Sequence, residues 1–299
     1  MRYSKPAITI KAQLLQLKSR GMSISDHAEA RHFLRTVGYY RLAGYWWTMQ
    51  SNAETHRFRR GSSFKRVIQR YNFDRELRLI ALNMIERVEV GLRTQMIYQL
   101  SLAHQPHWLE DETLAKTRGN WIKNRNSITE EVRRSKEQFI LEHKAKYTED
   151  ERLPPSWKSL EVVSLGTLSK VYRNMKDDLP EKATIATGFQ LDDYKTLSNW
   201  LHAIALLRNV SAHHCRLFQR TMEIWPRLPR RLPGPWMNTR NVDTKSVYAH
   251  LCCLQYLLHT ISPNNRFPDR LEQLFLDYPQ VRHRELGFPA NWQQQPVWR

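Results

Sequence analysis

Four residues between positions 208 and 214, Arg208, Asn209, His213 and His214, have the types and spacing to act on a phosphate. They sit in the stretch W-L-H-A-I-A-L-L-R-N-V-S-A-H-H-C-R-L-F-Q-R that occupies 200–220. Arginine is a permanent cation whose planar fork of donors fits phosphate oxygens, and histidine is the side chain that ordinarily titrates near neutral pH. Leu197, Leu201 and Ile204 step by four and three along one apolar helical stripe, and Arg208 holds the next place on it. A charge at that place requires an anion or a carboxylate nearby. Asn209 and His213 stand at i and i+4, with Arg216 at i+7 and Arg220 at i+11, so a second stripe is expected to carry an amide, an imidazole and two cations. Such a face is a poor core and a good phosphate site. The alternative is a structural one, in which Arg208 pairs with a buried carboxylate and the two histidines form an ordinary polar helix end.

Composition narrows the partners. The chain has 299 residues, of which 41% are hydrophobic, with ten tryptophans, enough for a substantial core. Lys and Arg number 47 against 29 Asp and Glu, a net charge of +18 that points to a polyanion, with nucleic acid a simpler choice than an anionic membrane surface. No apolar run approaches the roughly 20 residues that span a bilayer, and Met1-Arg2-Tyr3-Ser4-Lys5 lacks the apolar core of a signal peptide, so the cytoplasm is expected. Cys215, Cys252 and Cys253 form no C-x-x-C pair, and there is no H-E-x-x-H, Walker-type loop or G-x-G-x-x-G. Neither a metal site nor a cofactor is therefore expected.

The elements that must position these residues read as helices. A short helix over 8–22 closes at Gly21, Ser25-Asp26 cap a second over 28–37, and a long one begins near Ser63 with Leu77, Ile80, Met84, Val88 and Leu92 at helical spacing. Between these lie an aromatic run punctuated by Gly38 and Gly44 and a basic segment at 56–61, with at most short strands over 39–60. Tyr39, Tyr40 and Tyr45 around Arg41 read as packing, with RNA contact by Arg41 as the alternative. A basic excursion at about 104–155 holds two helices anchored by Trp108, Trp121, Phe139, Ile140 and Tyr147, and Pro154-Pro155 ends it. A proline and arginine loop at about 225–240 is expected to fold over the site as a flap. Val247, Leu251, Leu254, Leu258 and Ile261 then mark a helix stopped by Ser262-Pro263.

Several of these stretches resemble one family. Arg208 followed by His213 or His214 matches the R-x(4-6)-H motif of the HEPN superfamily, many of whose members are metal-independent ribonucleases. The longer R-N-x-x-A-H-H-x-R-L-F is similar to the signature of Abi-like proteins, the AbiD and AbiF type of phage abortive-infection protein. V-G-Y-Y-R-L-x-G-Y at 37–45, F-D-R-x-L-R with I-E-x-x-E and L-R in the long helix, Pro-x-W with S-x-G-x-L-S-x-x-Y after 155, and G-F-P-x-x-W with P-x-W at the end resemble the same family. The fold so implied is all-α: a HEPN-like helical bundle over 63–299 with an inserted helical subdomain, preceded by a helical and aromatic segment over 1–62.

The resemblance also implies a reaction. The 2′-hydroxyl of RNA attacks the adjacent phosphorus and gives a 2′,3′-cyclic phosphate and a 5′-hydroxyl, without a metal. His213 is then the expected acid/base, oriented by Asn209, with Arg208 as phosphate clamp and His214 as second choice or substrate contact. Arg216, Arg220 and Arg41 are expected substrate contacts, and Glu86, Glu89 and Glu161 possible acidic partners. On an ideal helix Arg208 and His213 lie about 140° apart, a gap that a long side chain or a bent helix end must close. A homodimer with two such stretches facing each other across a two-fold axis would supply both a base and an acid. The alternative function is a non-catalytic defence protein that holds RNA, including a guide or regulatory small RNA.

Overall fold

The computed structural model describes residue 2 and residues 6–52, 54–239 and 241–299, and among these it is all-α, with no strand. Twelve α-helices follow in order: α1 Ile10–Ser19, α2 His27–Thr36, α3 Tyr39–Trp46, α4 Phe64–His104, α5 Arg118–Arg134, α6 Gln138–Lys146, α7 Ser156–Ser159, α8 Leu165–Asn174, α9 Pro180–Thr187, α10 Tyr194–Ala212, α11 Val247–Ile261 and α12 Phe267–Asp277. None is long and apolar enough to cross a membrane.

The axis of the molecule is α4, 41 residues long. Ser63 caps it, its hydroxyl accepting from the Arg66 N–H at 3.3 Å, and no proline interrupts it. Phe73, Leu77, Ala81, Met84, Val88, Leu92, Met96 and Leu100 bury one face at helical spacing, and α3, α9, α10, α11 and α12 pack around it. Burying each Leu or Phe of this kind contributes roughly 1.5–3 kcal/mol. Gly91 makes one of these contacts possible, because a Cβ there would stand 3.0 Å from Ile261 of α11.

Within α10 the apolar stripe of Leu197, Leu201 and Ile204 is fully buried against α4 and α8, and Asp193 caps the helix on the Lys195 N–H at 2.8 Å. One apolar core takes in Leu14 of α1, Ile140 of α6 and Trp298 near the end of the chain.

Within the bound of at most short strands over 39–60, none forms among the described residues: Tyr39–Trp46 is helical, entered through Gly38 at φ 91°, and the extended pairing in this region is confined to the isolated bridges Gln50 with Phe58 and Ser23 with Ser63. One expectation about shape is corrected. The proline and arginine loop is not a flap over the 208–214 end. Trp200 Nε1 donates to the Arg227 carbonyl at 2.6 Å, Trp236 stacks on Trp200 at 5.2 Å, and the Gly234 N–H donates to the Tyr256 hydroxyl at 3.0 Å. These contacts seat the loop on Trp200 in the first half of α10 and on Tyr256 of α11, and Trp200 is about 20 Å from His213 at the helical rise of about 1.5 Å per residue.

Candidate functional site

The helix carrying Arg208 stops at Ala212 without glycine or proline. The Cys215 N–H donates to the Val210 carbonyl at 2.9 Å and the His214 N–H to the Ser211 carbonyl at 3.1 Å, the paired bonds of a Schellman closure. That closure requires a left-handed residue, usually glycine, and His214 occupies it at φ 57°. His213 is the C-cap at φ −83° and ψ 11°, and both histidines are exposed.

The expected second stripe is therefore corrected. Arg216 and Arg220 lie beyond the helix and cannot extend a face that ends at Ala212. Arg216 instead donates to the Gly44 carbonyl of α3, and its Cδ would stand 3.4 Å from a Cβ at Gly44. Arg220 pairs with Glu223 at 2.8 Å. Each has a partner within the chain.

A buried polar hub fixes the segment after the helix. Asp74 of α4 is 0% exposed, and its Oδ1 accepts from the Leu217 N–H at 3.0 Å and the Phe218 N–H at 2.6 Å. Its Oδ2 accepts from the Tyr45 hydroxyl at 2.6 Å and from the Arg78 guanidinium. Burial pushes this carboxyl up, while Arg78, the tyrosine and the two backbone donors pull it down. With four donors aimed at it, only the acceptor-only carboxylate satisfies every partner. Burial and the carboxylate beside it push the Tyr45 hydroxyl far above its usual range, so it stays a donor. Arg78 also reaches the Cys215 carbonyl at 3.4 Å.

Arg41 joins the site from α3, its Nη1 donating to the His214 carbonyl at 2.6 Å. Beside it Tyr40 is 94% exposed and Trp47, seven residues on, is 66% exposed, whereas Tyr45 and Trp46 are buried. The aromatic run thus divides into a packed half and a solvent-facing half.

Arg208 is half-buried where the apolar stripe leaves the core, and Asn209 is exposed. Among the described residues neither side chain, nor either imidazole, has a hydrogen-bond or ion-pair partner. Asn209 touches His213 through its backbone carbonyl, which accepts the His213 N–H at 2.9 Å, and not through its amide. The orientation of the imidazole by the Asn209 side chain is not formed.

The three acids lie elsewhere. Glu89 pairs with Arg93 at 3.0 Å, and Glu161 stands 4.0 Å from the same guanidinium, which also donates to the Leu160 and Val163 carbonyls at 2.8 and 3.1 Å. Glu86 is exposed. Along α4, Glu86 and Glu89 are about 18 and 22 Å beyond Asp74 by helical rise. None meets Arg208 or the histidines.

Sequence reading missed Asp74, Tyr45 and Arg78 as site residues although they stand in F-D-R-x-L-R and G-Y. The available signal was Asp74 beside Phe73 on the buried face of α4, four residues before Arg78. Among the described residues no group of three or more His, Cys, Asp or Glu is placed to hold a metal ion.

A family model described as Abi-like protein matches residues 32–219. The chain belongs to the Abi-like protein family. The match begins in α2 and ends at Gln219, so it contains Arg41, Tyr45, the Asp74 hub and the whole 208–218 segment. The closing G-F-P-x-x-W element lies outside it. No curated protein and no solved structure matches the chain. In this Abi-like protein the shared stretch and the polar site coincide.

Proposed function

We propose that this Abi-like protein is a metal-independent endoribonuclease of the HEPN superfamily, of the AbiD and AbiF type, acting as a toxin in abortive infection against phage. One observation carries the reading. The closed end of α10 presents Arg208, His213 and His214 with side chains unengaged among the described residues, while Asp74, Arg78 and Arg41 fix the backbone beneath them. A free cation and two free imidazoles on a rigid base suit binding and proton transfer at a phosphate.

In the reaction the 2′-oxygen bonds to phosphorus as its proton passes to one imidazole, and the phosphorus to 5′-oxygen bond breaks as that oxygen gains a proton. Arg208 holds the non-bridging oxygens. The helix is regular through Ala212 and the His213 N–H still donates to the Asn209 carbonyl, so the long Arg208 side chain is what closes the angular gap between the two. Tyr40 and Trp47 give bases an exposed stacking surface next to Arg41.

A two-fold dimer supplies a base from one chain and an acid from the other. Because Glu86, Glu89 and Glu161 stand away from this end, RNA itself offsets the two facing positive segments. The binding-only alternative uses the same residues to grip phosphate, with a guide or regulatory RNA as the bound species.

Expression in cells with sequencing of RNA ends separates them. The ribonuclease reading expects growth arrest and new 5′-hydroxyl ends with wild type, and neither with Arg208→Ala at equal protein level. Arrest without new ends supports the binding-only protein.

A further inference from the structure

A second cationic site lies away from the 208–214 end. A cleft of about 590 Å³ opens between the segment before α4 and the segment after α12. Arg59, Arg60, Arg66, Arg70, Arg282 and Arg284 line it, and Glu285 is the carboxylate in its wall. Six guanidinium charges against one carboxylate leave five. Among the described residues Arg70 is the member of the six with an ion pair, at 2.8 Å to Glu285. Gathering the other five without a counter-ion costs repulsion that dispersed surface arginines avoid.

The floor of the cleft is built rather than incidental. The Arg70 side chain is 10% exposed, with one nitrogen donating to the Tyr45 carbonyl at 3.0 Å and its carbon lying 4.9 Å from the centre of the Phe218 ring. Its Nε–H is buried without a hydrogen-bond partner, as is the side-chain nitrogen of Gln280 in the same wall. A buried donor left unpaired costs about 1–3 kcal/mol. Burial lowers the proton affinity of Arg70, Glu285 partly restores it, and Arg66 lowers it again. The first turn of α4 also ends here, with Gly61 and Ser62 in the wall, and adds partial positive charge from the helix N-terminus.

We infer that this cleft binds a phosphate-rich anion. A terminal phosphate carries roughly 1.5 to 2 negative charges at neutral pH and a bridging phosphate or phosphodiester about one, so a run of about three to five closely spaced phosphates matches five unpaired arginines, where a simple carboxylate does not. The volume falls in the range of small-molecule sites, and the polar walls fit a charged rather than an apolar occupant. Glu285 Oε1 accepts from both Arg70 and the Gln219 side chain, the latter at 3.1 Å, and the Thr48 hydroxyl donates to Gln219 at 2.8 Å. Through Gln219 the cleft is therefore tied to the segment that follows the candidate site. Its phosphates come either from an RNA strand running past that segment or from a free polyphosphate-bearing molecule.

The test uses the full chain, inorganic tripolyphosphate and a fluorescent single-stranded RNA, with the exposed-rim variant Arg282→Ala/Arg284→Ala. Calorimetry is expected to show saturable, salt-sensitive tripolyphosphate binding that weakens at least tenfold in the double variant and is unchanged in His213→Ala. If RNA affinity falls in the double variant as well, and tripolyphosphate displaces RNA from wild type, the phosphates are those of RNA. If RNA affinity is unchanged, the occupant is a free polyphosphate. Wild type that binds neither probe, or a double variant that binds both as wild type does, overturns the proposal. Because His213→Ala keeps this binding, failure of the cleavage reading leaves it standing.

Discussion

Arg41 and His214, 173 residues apart in sequence, are joined by a 2.6 Å hydrogen bond from the Arg41 guanidinium to the His214 carbonyl. The bond falls on the one residue of the α10 closure whose backbone is left-handed. It explains why an exposed arginine of α3 matters to a histidine at the end of α10. The V-G-Y-Y-R element and the histidine pair belong to one structural unit.

His214→Gly separates strain from use. Glycine relieves a left-handed cost of about 1–2 kcal/mol and returns about 0.4–1 kcal/mol through the unfolded chain, for a net gain of roughly 0.5–1 kcal/mol. Urea unfolding is expected to show that gain, while RNA affinity or cleavage falls. Destabilisation instead would make the imidazole a structural group.

Asp74→Asn tests the hub. The amide nitrogen meets donors where the carboxylate met partners, and Arg78 is left as an uncompensated buried charge, a loss of about 3–5 kcal/mol. Thermal and urea unfolding are expected to show it. A variant within about 1 kcal/mol of wild type would mean that the segment after α10 is held by other contacts.

Acidification is expected to destabilise the protein through His250. Its two ring nitrogens lie 2.9 Å from the Ser246 carbonyl and 2.8 Å from the Ile224 carbonyl, and a neutral ring can donate to only one of them. Burial lowers its pKa below 6.5, against the pull of the two carbonyls, and burial likewise lowers those of His202 and His283. For a lowered histidine the unfolded chain binds more protons, so stability is full above about 6.5 and is lost as pH falls toward the folded value. Melting temperature is expected to drop as pH falls below about 6.5, with a flatter profile for His250→Gln. Equal slopes would assign the effect to other groups.

Light scattering over a concentration series, with and without RNA, is expected to give a dimer whose formation RNA favours. A strictly monomeric protein that still cleaves would place both proton transfers on one chain and make His214 the second group.

The residues that read clearly from sequence are those whose spacing reports burial. Leu77, Met84, Val88 and Leu92 marked α4, and Val247, Leu251 and Leu254 marked α11, because a 3.6-residue period has one physical cause. The end of α10 was not legible, since no glycine or proline announces it and a histidine takes the left-handed place. Arg216 and Arg220 were consequently read onto a helix that stops before them. Asp74 was hidden for a different reason: a carboxylate on a long helix usually faces water, and its four partners come from Tyr45, Arg78 and a segment more than 140 residues away. Glu89 and Glu161 were visible as acids, but not that Arg93 already holds them.

The most direct test is cleavage of RNA by purified protein in EDTA, with DNA of the same sequence and the His213→Ala and Arg208→Ala proteins as controls. Wild type is expected to cut RNA alone, leaving 2′,3′-cyclic phosphate and 5′-hydroxyl ends. Both variants are expected to lose at least about 100-fold in rate, the scale of a removed acid/base group, with melting temperatures near wild type. Undiminished cleavage by His213→Ala, ends bearing 3′-hydroxyl and 5′-phosphate, or RNA left intact by wild type would contradict it.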